Sequence, residues 1–148
     1  MIYFPKSQPA PECLEIEKSK ANGDYKQPEV LERLQADFKN KCYLCEDKDI
    51  TSINVEHFKP HRENKDLKFD WDNLFFACVH CNNTKSDKYE DILNCTAKED
   101  EVDTKIRYYM NPFPKELVVI DTMENNPKVE KTAQLLNNLY NGTTILKR

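Results

Sequence analysis

The chain has 148 residues, 32% of them charged and 10% aromatic, with a formal net charge of −4. That balance suits a single folded domain with a modest core and excludes a disordered polymer. Two glycines exclude a glycine-rich phosphate loop, no apolar run approaches membrane-spanning length, and the opening Met-Ile-Tyr-Phe-Pro lacks the regions of a signal peptide, so the expected location is the cytoplasm.

Residues 9–21 predict a short helix ended by Asn22-Gly23. Pro28 then opens a second helix over about 28–39, with Val30, Leu31, Leu34 and Phe38 as its core stripe. Cys42 to Cys45 reads as a tight knuckle, and the β-branched, alternating Thr51 to Phe58 as a strand that must end near Pro60. A polar loop over 61–70 leads to an aromatic turn and short strand, Phe69 to Phe76, which returns to a second knuckle. Asn82 to about Leu93 predicts a helix capped by Asn82 or Asn83. Residues 96–105 read as a charged loop, Leu117 to Ile120 as a strand, and Val129 to Tyr140 as a helix with Leu135, Leu136 and Leu139 on one face. The sum is one α+β domain over 1–148, its motif core at about 42–93, with a β-hairpin and helix wrapped by N- and C-terminal helices.

The chemistry concentrates between the knuckles. Cys42-x-x-Cys45 and Cys78-x-x-Cys81 offer four soft thiolates, the donor set of a closed, structural zinc site. Cys13 and Cys95 stand alone and receive no role. Between the pairs lies Val55-Glu56-His57-Phe58-Lys59-Pro60-His61. A neutral imidazole such as His57 can take a proton from water, and a carboxylate such as Glu56 suits magnesium or manganese. Lys59, Arg62, Lys65 and Lys68, with His57 and His61, make a local basic strip on an acidic chain. Such a strip reads either as a phosphate contact or as a solvated loop. Phe58, Phe69, Trp71, Phe75 and Phe76 read as packing beneath the hairpin.

The order Glu56-His57, Asn73-Leu74 and Cys78-Val79-His80-Cys81-Asn82-Asn83-Thr84-Lys85 resembles the HNH endonucleases of the His-Me finger class, over roughly 42–88. More narrowly, Cys42-Tyr43-Leu44-Cys45-Glu46, Val55 to Pro60 and Trp71 to Leu74 are similar to HNH proteins paired with an ATPase in Septu-type and retron-associated anti-phage systems. The resemblance implies a ββα-metal, treble-clef-like core and hydrolysis of nucleic-acid phosphodiester bonds, with DNA as substrate. It implies His57 as general base, Asn73 as the residue that orients its loop, and Glu56 and Asn82 as ligands of one divalent ion. Lys59, His61, Arg62 and Lys85 become nucleic-acid contacts. Asn82 stands where the family often has His, Ser86 where a glycine often follows, and His61 where the narrower group commonly has a basic residue. Two rivals use the same residues. His61-Arg62-Glu63 with Cys78-x-x-Cys81 mimics a zinc deaminase signature, though Ala77 replaces its proline. A non-catalytic, zinc-held binding module explains every paired cysteine and leaves Glu56, His57 and Asn73 incidental.

Overall fold

A computed structural model of the protein describes residues 1–113 and 117–142. The first helix, α1, spans Glu12–Ser19 and buries Leu14. The chain turns sharply after it, and Gly23 is required there. A Cβ on Gly23 would lie 1.8 Å from the Glu17 carbonyl oxygen, closer than any side chain tolerates. Helix α2, Pro28–Asp37, begins on the proline as expected and buries Val30 and Leu34, with Phe38 buried just past its end.

Strand β1, Ile53–His57, pairs antiparallel with β2, Leu74–Cys78, placing Glu56 opposite Phe75 and His57 opposite Leu74. The connection is not the featureless loop expected. It contains a one-turn helix, α3, Lys65–Lys68, because the Asn64 side chain accepts from the Asp66 and Leu67 amides. A 3-10 turn at Trp71–Asn73 follows, capped by Asp70.

Helix α4, Val79–Lys85, starts earlier and ends sooner than the expected 82–93. Its cap is Cys78, whose sulfur accepts from the Cys81 amide (3.4 Å), and Ser86 stops it by adopting a left-handed φ of 42°. The segment beyond α4 still reaches the core through Ile92 and Leu93.

The expected loop at 96–105 ends in a short helix, α5, Val102–Lys105. A second hairpin follows, in which β3, Ile106–Asn111, pairs antiparallel with β4, Leu117–Thr122. Of these two strands only β4 was expected. Helix α6, Pro127–Asn141, packs on β4 and on α4, and Asn126 caps it. Among the described residues no helix is long and apolar enough to cross a membrane.

One cluster of buried side chains unites these parts, from Met1 and Phe4 through Phe38, Tyr43, Phe75 and Phe76 to Leu136 and Leu139. Phe58 stacks on Phe75 at 4.8 Å, and Tyr43 meets it edge-on at 4.9 Å, so the aromatics beneath the first hairpin do pack as core.

Candidate functional site

Cys42, Cys45, Cys78 and Cys81 bring their sulfurs within 4.8 Å of one another, with Cys45 and Cys78 Sγ 4.0 Å apart. Four sulfurs bound tetrahedrally at zinc–thiolate length sit about 3.8 Å apart, so the pocket fits that ion. Hydrogen bonds from neighbouring thiols hold Cys42 and Cys78 below the ordinary range, and contact with Cys42 holds Cys45 and Cys81 above it. The Tyr140 hydroxyl on α6 donates to the Cys45 carbonyl (2.8 Å), tying the last helix to the first knuckle. With the four thiols gathered on each other, and His61 packed instead against His57, the deaminase arrangement is absent.

An open cleft of about 410 Å³ lies beside this centre, lined by His57, His61, Arg62, Asn82, Glu56 and Tyr25 among others. His57 ends β1, and its Nε2 lies 3.0 Å from the Lys68 carbonyl oxygen on α3. A carbonyl can only accept, so Nε2 carries the hydrogen and Nδ1 is the ring's basic nitrogen. Two rings flank it edge-on at 4.6 Å, Tyr25 and His61. Burial lowers the His57 pKa below its ordinary value, and the neighbouring positive charges of His61, Lys68 and Lys26 act in the same direction.

Asn73 lies behind this loop with 4% of its surface exposed. Its Oδ1 accepts from the Lys59 amide (2.7 Å), and its Nδ2 donates to the Lys59 and Leu67 carbonyls (2.9 and 3.0 Å). It thereby clamps both ends of the segment that follows His57, including the residue before Lys68. Asn73 does not line the cleft; it holds the loop from behind.

The other expected residues divide. Asn82, on α4, is half-exposed and borders the cleft. Lys59 and Arg62 are exposed, and Arg62 is shared with Glu90. His61 accepts the Glu63 amide on Nδ1 (3.1 Å), so its Nε2 carries the hydrogen when the ring is neutral. Lys65 donates to the Lys20 carbonyl (3.0 Å), and Lys18 pairs with Asp66 (2.8 Å), so part of the basic strip is spent on holding α3 to α1.

Two placements depart from expectation. Lys85 does not face outward towards phosphate. It is 1% exposed and pairs with Glu56 Oε1 at 2.8 Å. Glu56 itself is 4% exposed, although it lines the same cleft as His57. Burial raises the Glu56 pKa, while the Lys85 charge opposes that rise. Its second oxygen, Oε2, has no hydrogen-bond partner; the Tyr43 hydroxyl lies near enough to favour the carboxylate charge but makes no bond of normal length. A buried carboxylate oxygen without a hydrogen-bond partner, on a residue that lines the same cleft as Asn82, is oxygen-donor chemistry that fits a hard divalent ion.

Tyr25, which walls His57, belongs to the loop between α1 and α2 and went unnoticed in the sequence. A lone tyrosine between two helices carries no signal of what it will meet.

No curated protein matches this chain. Residues 42–88, which hold both cysteine pairs, His57, Asn73, Asn82 and Lys85, match the family model described as HNH endonuclease.

Proposed function

We propose that this chain is a metal-dependent HNH endonuclease that hydrolyses nucleic-acid phosphodiester bonds, with DNA as its substrate. The observation that carries the reading is the bond from His57 Nε2 to the Lys68 carbonyl, which leaves Nδ1 as the basic nitrogen of a ring at an open cleft; burial lowers the ring's pKa, and the carbonyl bond opposes that fall. Nδ1 takes a proton from water, the water oxygen bonds to phosphorus, and the bond from phosphorus to the 3′ oxygen breaks. Asn73 keeps the loop that carries the Lys68 carbonyl in place, and His61 Nε2, with Lys59 and Arg62, contacts phosphate. Glu56 Oε2 and Asn82 would hold a magnesium or manganese ion, which when bound would neutralise the charge that grows on the phosphate and the leaving 3′ oxygen. Zinc at the four thiols is structural. The narrower resemblance extends the proposal to anti-phage defence alongside an ATPase partner.

Plasmid cleavage by purified protein with magnesium, manganese or EDTA tests this, wild type beside His57→Ala. Metal-dependent nicking that falls at least about a hundredfold in the variant is expected for loss of a general base. Equal cleavage by His57→Ala removes His57 as the base. A well-folded, zinc-loaded wild type that cuts nothing means either that the chain needs its partner to act or that it is the non-catalytic module.

A further inference from the structure

We infer that Lys85 is a positioning residue: a buried, three-way clamp that fixes the backbone of the general base and orients the carboxylate of Glu56. The inference rests on the nuclease reading for its purpose, but its geometry stands alone. A lysine ammonium has three hydrogens to donate. Three acceptors surround Lys85 Nζ: Glu56 Oε1 at 2.8 Å, the Phe58 carbonyl at 2.9 Å and the His57 carbonyl at 3.5 Å. All three lie on consecutive residues of the strand end that presents the His57 ring.

With 1% of its surface exposed, this ammonium has nothing left for a phosphate. Reaching one would strip the ion pair from a carboxylate that is itself 4% exposed, leaving a buried charge unpaired. The more economical role is internal. Lys85 is the last residue of α4, about two turns from Cys78 and one from Cys81, so its Nζ joins the cysteine-anchored helix to the His57 strand. Just beyond that strand end, Asn73 grips Lys59 and Leu67. The backbone from His57 to Lys59 is therefore held by two buried side chains, Lys85 and Asn73. Lys85 binds Glu56 through Oε1 alone, so Oε2 keeps its acceptor capacity unspent.

The test compares Lys85→Met with Lys59→Ala, an exposed lysine, by two readouts that need no turnover. Nitrogen NMR of the imidazole rings reports the His57 tautomer. Lys85→Met is expected to move the His57 signals towards a mixture of tautomers, and Lys59→Ala to leave them in place. Binding of a short DNA duplex in EDTA, followed against salt, reports phosphate contacts. Loss of one contact lowers the slope by about one. Lys59→Ala is expected to show that drop and Lys85→Met to keep the wild-type slope. Unmoved His57 signals in Lys85→Met overturn the clamp, and a lowered slope there restores Lys85 as a phosphate ligand. Should Lys85→Met fail to fold, Glu56→Gln/Lys85→Met removes both buried charges and is read in the same way. A wild type that cuts no DNA sinks the nuclease reading of the chain on its own, while the NMR comparison still decides the clamp.

Discussion

Burial and the nearby charges of His61, Lys68 and Lys26 all push the His57 pKa below 6.5, so the ring is ready to accept a proton at neutral pH. The acid limb of kcat/KM should therefore have its midpoint below 6.5, with activity lost as pH falls through it. Tyr25→Ala opens one side of the ring to water. It should move that midpoint up towards 6.5, read from a pH–rate profile; a profile that stays put means that Tyr25 does not shield the base. Family-like order and spacing single these residues out in the sequence. Their directions were not legible. Alternation along a strand says that Glu56 and His57 diverge, but which one meets the core depends on where Phe75 and Tyr43 lie, and those contacts come from distant parts of the chain.

The turn that carries Asn73 is held from outside the matched segment. Lys6 Nζ donates to the Trp71 and Leu74 carbonyls and sits 3.8 Å over the Trp71 ring, while Trp71 Nε1 donates to the Ser7 carbonyl (2.8 Å). Burial lowers the Lys6 pKa to about 7, against 10.5 in the unfolded chain. Between those values the unfolded state binds more protons than the folded one, so stability rises with pH across the window. The gain from pH 7 to pH 9 should be about 2 kcal/mol by this linkage, and absent from Lys6→Met. Urea unfolding of both proteins at the two pH values measures it; equal gains would assign the slope to other groups. At this scale the sequence showed long periodic pieces well, namely α2, α6 and the first hairpin. It failed where local chemistry rules. A cysteine cap started α4 early, a left-handed Ser86 stopped it, and β3 hid in a charged, tyrosine-rich run whose pairing with β4 is a tertiary fact.

Zinc at the four thiols would close a loop between two knuckles that lie more than thirty residues apart in sequence, and would fix the first turn of α4. In comparable small domains such a site contributes on the order of 10 kcal/mol. Mass spectrometry under native conditions should find one zinc per chain. A strong thiol-directed chelator should lower the melting temperature and abolish cleavage even with magnesium in excess. Cleavage that survives complete zinc removal would show that the thiols do not support the cleft.

The core that runs from Phe4 to Leu139 has one more implication. Phe4 and Phe38 precede the matched stretch 42–88 and Leu139 follows it, yet all three share one interior with Phe75. The HNH stretch is thus not a cassette. Excised at its own boundaries it would surrender the flanks that seat its aromatic residues, the Tyr25 wall and the Lys6 brace together, so a transplant into another scaffold must carry those flanks or rebuild them.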